Sequence, residues 1–361
     1  MRKMNIYKRK DGRFEGRVYL GKGENERRLF KSYYGKTEEE VQMKYKAASQ
    51  GLFPAYASTQ ETVKDLFFEW ITIIASKIRE STAANYRMKA EKHIIPAFGE
   101  QCISDLDTRS VHKFIADKLK SGLSPRYVSD IIVLFKGIFK YAQREYNVKN
   151  VFDGIIMPKK HKPEVRLLNE DEQTILKKHL EDAPTKTNTG IALCLYTGLR
   201  IGELCALKWE DIDLEKRVLT VSSTIQRIKN DSEGGRTKLI ISEPKSETSK
   251  RTIPIPACIL KMLENQRRSG SSYVLSGSNK PVEPRTMQYR FSKLLKNAGL
   301  PSIHFHALRH MFSCRAIELG FDVKTLSEIL GHSSIELTLN LYVHSSLERK
   351  RSCMDMFSWS K

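Results

Sequence analysis

Apolar side chains at Val63, Leu66, Phe67, Trp70, Ile71 and Ile74 recur three and four residues apart, the spacing that gathers them on one face of a helix. Thr62 and Asp65 stand where a capping box would open that helix. The same period predicts helices over about 81–95, 108–120 and 125–146, the last with Ser124 as cap and Pro125 at the first helical position, where its missing N–H needs no partner. Before this helical block, Arg13–Leu20 and Arg27–Tyr34 mix β-favouring with basic residues around Gly-Lys-Gly and Tyr-Gly punctuation. That pattern predicts a small sheet, followed by a short helix that Thr37 caps towards Glu40. After the block, Asn169 and Glu172 open a helix, Gly190–Leu207 reads as an apolar helix pair, and Val218–Ser222, Lys238–Ile241 and Arg251–Ile255 read as strands of one small sheet. Helices at about 256–267, 284–298, 306–319, 322–330 and 334–347 complete the pattern, with Ser333 and Glu336 as a capping box for the last.

Two stretches carry neither period. Gln50–Gln60 is a mixture of Gly, Pro, Ser and Thr, and Pro158–Pro163 is short, basic and closed by proline at both ends, so both read as linkers. They divide the chain into three domains, at 1–50, 61–157 and 164–361. The expected fold class is multidomain: a small β-sheet N-terminal domain, an all-α domain, and an α+β, mainly helical domain with a small antiparallel sheet.

Charge narrows the class of partner. The 361 residues hold 62 Lys and Arg against 42 Asp and Glu, a formal charge of +20, which makes nucleic acid the leading partner. Residues 1–50 alone carry 14 basic against 7 acidic residues, or +7, and read either as a solvated basic sheet or as an accessory DNA-binding arm. No apolar run reaches the length of a signal peptide or a membrane span, so a soluble, intracellular (cytoplasmic) protein without a membrane partner is expected. The six cysteines form no C-x-x-C pair, and no disulfide is expected.

Five of the nine histidines fall within 304–344. In His306-Ala-Leu-Arg309-His310 the first and fourth residues share a helix face. His306, His310 and Cys314 also stand at i,i+4 spacing, but the basic neighbourhood and the lack of a Glu after the first His speak against zinc, and no metal is expected. A phosphodiester gathers negative charge as it becomes pentacoordinate, and the guanidiniums of Arg200 and Arg309 could each donate two hydrogen bonds to its oxygens. Taken alone, Arg200 reads as well as a helix-terminal salt bridge to Glu203, and Tyr342 as an ordinary amphipathic-helix residue.

The motifs in order change that balance. Thr197-Gly-Leu-Arg200-Ile-Gly-Glu203, then Lys245 in Glu-Pro-Lys-Ser-Glu-Thr-Ser-Lys-Arg, then His306-Ala-Leu-Arg309-His, then Leu330-Gly-His332-Ser-Ser, then Tyr342 resemble the catalytic domain of the tyrosine recombinases, of the phage or conjugative-transposon integrase type. The helical domain with its Ile94-Ile-Pro-Ala-Phe-Gly stretch is similar to that family's core-binding domain, and residues 1–50, with Gly16-Arg-Val-Tyr and Tyr34-Gly-Lys-Thr, are similar to its arm-binding domains. The resemblance implies a site-specific recombinase that cuts and rejoins DNA through a 3′-phosphotyrosine, integrating or excising a mobile element. It implies Tyr342 as nucleophile, Arg200 and Arg309 on the scissile phosphate, His306 or His332 as proton acceptor, Lys245 as acid for the departing 5′ oxygen, and Glu203 as a support for the site's shape. Lys238 and Lys250 are substitutes for Lys245. The partners it implies are core-type and arm-type DNA sites, a homotetramer on DNA, and accessory DNA-bending or excision proteins. Each step exchanges one ester for another, so no cofactor is expected, and the chain has no G-x-x-x-x-G-K-[ST] loop. Three rivals stand beside this reading: a metal-dependent nuclease or transposase using Glu210, Asp211 and Asp213, a DNA-binding regulator with a vestigial catalytic domain, and a topoisomerase.

Overall fold

The computed structural model describes residues 4–9, 12–22, 28–49, 60–159, 166–230, 237–244, 247–268, 270–332, 334–342, 351 and 354–355. The chain divides into two compact units, Met1–His161 and Lys162–Lys361.

The first unit opens with three antiparallel strands in the order β1 (Met4–Lys8), β2 (Phe14–Lys22) and β3 (Arg28–Gly35), followed by α1 (Glu38–Ser49). Thr37 Oγ1 accepts from the Glu40 amide at 3.2 Å, the expected cap. A buried carboxylate ties the strands together: Glu15 accepts from Arg9 and Arg17 at 2.8 Å, Ser32 at 2.9 Å and Tyr34 at 3.2 Å. Burial works against its charge, but the bonds from Arg17 and its neighbours hold its pKa at about 2.

The helical block follows as α2 (Val63–Ala75), α3 (Glu80–Lys89), a π turn at Ala90–Ile94, α4 (Ile95–Phe98), α5 (Thr108–Lys120) and α6 (Pro125–Tyr146). Each predicted cap forms, with Thr62 accepting from Asp65 N and Ser124 from Tyr127 N. Pro96 has no N–H to return to the preceding turn, and the backbone accommodates it by widening into the π turn. Phe67, Ile94, Val111, Phe135, Phe139 and Phe152 form the centre of this block's core.

In the second unit, α7 (Glu170–Asp182) starts with the full Asn169/Glu172 capping box. Helix α8 (Lys186–Thr197) is apolar on nearly every side and runs through the middle of the core. Then come α9 (Ile201–Ala206), β4 (Ile212–Asp213), β5 (Val218–Val221), β6 (Thr224–Lys229), β7 (Thr237–Ser242) and β8 (Arg251–Pro254). The predicted single sheet is in fact two. Strands β4, β5 and β8 pair as one sheet, whereas β7 pairs with β6 as a separate hairpin, Ile225 opposite Ile241. The sequence hid β6 because its two buried residues, Ile225 and Ile228, lie three apart and give no alternation. Helices α10 (Leu260–Glu264), α11 (Pro284–Asn297), α12 (Ala307–Glu318), α13 (Val323–Leu330) and α14 (Ile335–Tyr342) complete the unit. No helix among the described residues is long and apolar enough to cross a membrane.

Candidate active site

Helix α8 stops at Gly198 because its φ of 68° is left-handed and because a Cβ there would lie 2.6 Å from the Phe312 ring and 2.9 Å from Leu330 Cδ2. The turn frees the Gly198 carbonyl, which accepts from Arg309 Nη1 at 2.7 Å. Two residues on, Arg200 occupies the N-cap of α9. Its amide donates to Glu203 Oε2 at 3.0 Å and its Nη1 to Oε1 at 2.7 Å, so the expected salt bridge forms. Glu203 is buried and also accepts from Arg251, Nη2 to Oε2 at 2.9 Å and Nη1 to Oε1 at 3.2 Å. Burial alone would raise its pKa, but Arg251 and Arg200 hold it below the usual carboxylate value.

The same arginines meet again at the end of α13. A helix leaves its last carbonyls unpaired and negatively polarised. Here three in succession each accept from a guanidinium: Ile329 O from Arg251 Nε at 2.5 Å, Leu330 O from Arg309 Nη2 at 2.7 Å, and Gly331 O from Arg200 Nη2 at 3.0 Å. Gly331 is left-handed at φ 61°, and a Cβ on it would sit 3.0 Å from Arg251 Cδ and Nη1. The next residue is His332, whose Nδ1 lies 2.8 Å from Thr338 Oγ1 on α14. His306 stands at the N-cap position of α12, one turn before Arg309, without a side-chain capping bond and with its ring 5.0 Å from that of His310.

Arg309 is 4% exposed. Burial, then the nearby positive Arg200, draw its pKa down to about 9, which leaves it protonated at neutral pH. Both histidines are pulled down to about 4. For His306, which keeps an exposed edge, the causes are partial desolvation, then His310, Arg309 and Arg200. For His332 they are burial, then Arg309, Arg200, Arg251 and His306. The site at pH 7 therefore pairs charged guanidiniums with neutral imidazoles that can accept a proton. These lowered values also make the second unit sensitive to acid. Unfolded histidine binds a proton near pH 6.5 and these two only near 4, so stability that is full above about 6.5 should fall as the pH drops towards 4. Urea unfolding at pH 7 and pH 5 should show that loss, and His332→Gln should flatten it; an unchanged slope would remove His332 from the cause.

Arg200, Arg309, His306 and His332 are thus brought into one electrostatic neighbourhood. Tyr342 is the last residue of α14, ten positions after His332. Lys245 and Ser333 lie outside the described residues, and Ser334 Oγ accepts from the Glu336 amide at 3.2 Å. Of the substitutes for Lys245, Lys250 ion-pairs with Glu243 at 3.5 Å. Sequence reasoning missed Arg251 and Thr338. Arg251 is hidden in a run of basic residues where only its 6% side-chain exposure sets it apart, and Thr338 has only its position one turn before Tyr342 to offer as a signal.

The carboxylates of the metal-dependent rival are engaged elsewhere. Glu210 accepts from Lys208 Nζ at 3.0 Å, Asp211 from Lys208 N at 2.9 Å and Ser222 Oγ at 3.0 Å, and Asp213 from Lys216 N at 2.9 Å. Among the described residues no three His, Cys, Asp or Glu are placed to hold a metal ion.

Residues 165–349, the stretch that holds this constellation, match the phage integrase family, and residues 62–119 match the phage integrase N-terminal SAM-like domain. The chain belongs to the phage integrase family, and it is a site-specific recombinase of the tyrosine class. It is similar to a tyrosine recombinase XerC-like protein of Caldanaerobacter subterraneus subsp. tengcongensis, at 28% identity over 98% of each chain. It also resembles the Tn1549 transposon integrase in complex with a circular intermediate DNA, at 25% identity and a TM-score of 0.67, covering 82% of this chain and 99% of that one. A lambda integrase tetramer bound to a Holliday junction shares its fold, at 19% identity and a TM-score of 0.59 over 93% and 94% of the two chains.

Proposed function

We propose that this protein breaks and rejoins DNA strands with Tyr342 as nucleophile, inside a site made by Arg200, Arg309, His306 and His332. The observation that carries the reading is the meeting of two guanidiniums and a neutral imidazole at residues 330–332, on the segment that leads directly into the helix ending at Tyr342. The phenolic oxygen of Tyr342 attacks the scissile phosphorus while the bond to the 5′ oxygen breaks, leaving a 3′-phosphotyrosine. The tyrosine proton passes to a neutral histidine, and Lys245 gives a proton to the departing 5′ oxygen. The 5′ hydroxyl of a partner strand then reverses the step.

Arginine suits the phosphate because its planar fork offers five N–H donors. The bonds to Glu203, Gly331, Gly198 and Leu330 use two side-chain N–H groups on each of Arg200 and Arg309, so the forks are held in place with donors left for substrate. Family membership and the charge of +20 support DNA as the partner. We extend the reading to a homotetramer on core-type sites, with residues 1–50 as the arm-type binding domain, residues 61–157 as the core-binding domain and residues 164–361 as the catalytic domain. Accessory DNA-bending or excision proteins and a cytoplasmic, nucleoid-associated location complete it.

A nicked duplex carrying the core site, taken from the DNA that flanks the gene, traps the intermediate by losing the 5′ strand. In EDTA the protein should still form a covalent adduct on a denaturing gel, with the modified peptide containing Tyr342. Cleavage lost in EDTA and restored by Mg²⁺ would favour the nuclease or transposase instead. With residues 1–50 deleted the same short duplex should be cut as before, while recombination of full attachment DNA is lost. Full recombination by the shortened chain would return the basic sheet to the role of a solvated face.

A further inference from the structure

Thr338 is 0% exposed, and its hydroxyl lies 2.8 Å from Nδ1 of His332. A threonine inside a helix ordinarily returns its hydroxyl to the carbonyl four residues back. Here the hydrogen bond it makes among the described residues leaves the helix instead and reaches the turn before it. That turn is already anchored, since the Gly331 carbonyl accepts from Arg200 and the Leu330 carbonyl from Arg309. The arginines thereby fix the backbone of His332, and Thr338 is the contact that fixes its ring. With Nδ1 engaged, Nε2 is the nitrogen left for a substrate or a proton. Thr338 also stands one helical turn before Tyr342 on the same eight-residue helix. A helix that has left its seat cannot keep this bond.

We propose that Thr338 is a positioning residue, whose hydrogen bond holds the His332 ring in one tautomer and one orientation only while α14, the helix that carries Tyr342, is docked. The inference rests on the roles proposed above for His332 and Tyr342. Its consequence is a check on assembly: the imidazole becomes competent together with the arrival of the nucleophile's helix.

The test uses the full-length protein. In wild-type protein labelled with ¹⁵N-histidine, the His332 ring at pH 7.5 should show the two well-separated nitrogen shifts of a single tautomer. An averaged pair, as for free imidazole, overturns the proposal without any substitution. Thr338→Val keeps the shape and removes the hydroxyl. It should slow single-turnover cleavage of the nicked duplex by about 10- to 100-fold, by analogy with the loss of groups that orient a metal-bound histidine, with DNA binding retained and the nitrogen shifts averaged. Thr338→Ser should restore both rate and tautomer, which a packing role for the methyl would not allow. In a His332→Gln background Thr338→Val should cost nothing further, because the ring it orients is gone. A full Thr338→Val loss in that background, or a wild-type rate for Thr338→Val, refutes the positioning role while leaving the reading of the site intact. An adduct that survives Tyr342→Phe would instead refute the reading of the site.

Discussion

Tyr342→Phe should bind its DNA as well as the wild type and form no covalent adduct. The substitution removes one oxygen and keeps the ring. An unperturbed phenol with a pKa near 10 is only about 0.1% ionised at pH 7, so even the intact residue depends on nearby cations and a proton acceptor. Without the oxygen there is no atom for them to activate. Deleting the nucleophile of a hydrolase site costs on the order of 10⁶ in rate, which puts residual cleavage below detection on a gel. Gel-shift binding beside the denaturing-gel assay separates the two effects. Adduct formation at the wild-type level would mean that another residue attacks.

Arg309→Ala should fail in two ways at once, whereas Arg200→Ala should fail mainly in one. Each loses a donor to the charge that develops on the phosphate, worth roughly 3–4 kcal/mol or about 10²–10³ in rate by comparison with the loss of one oxyanion donor. Arg309, however, is 4% exposed and joins the ends of two helices through Gly198 and Leu330, so truncating it also strands two carbonyls. Leaving buried polar groups unpaired costs about 1–3 kcal/mol each. Arg200 keeps 36% of its side chain exposed; its loss strands one carbonyl, that of Gly331, and leaves Glu203 with Arg251. Urea unfolding should therefore show a larger loss for Arg309→Ala than for Arg200→Ala, with cleavage depressed in both. Arg309→Lys keeps the charge but not the fork, and should recover less than a tenth of the wild-type rate. Near-normal cleavage by Arg200→Ala would exclude it from phosphate binding.

The helices were legible wherever caps and period agreed. Ser124 with Pro125, Asn169 with Glu172, and Thr62 with Asp65 are local signals, and all three formed where they were read. The partition of the strands was not legible, because whether β7 pairs with β5 or with β6 depends on a turn at 222–223 that carries neither glycine nor proline. Of the site, the motif residues that give the family its signature could be read directly. Arg251 could not, since its importance lies in burial against Glu203 and in a carbonyl 78 residues away, and neither leaves a mark on the local sequence. Thr338 is harder still, a polar residue among leucines whose partner becomes visible only once the turn at Gly331 is drawn.

Arg200, Arg251 and Arg309 lean on three successive carbonyls of their own chain at the end of α13. Freezing a long side chain at an interface costs about 0.5–1.5 kcal/mol in lost rotamer freedom, so three such chains carry an entropic penalty of roughly 1.5–4.5 kcal/mol. Here that ordering happens during folding rather than at the encounter with DNA. The partial negative charge of the helix end also screens the guanidiniums from one another. An incoming phosphate thus meets cations already still and already reconciled to their mutual repulsion. The vulnerability is equally concentrated: deleting a single residue from α13 would shift the register of all three carbonyls and cost every arginine its contact there at once.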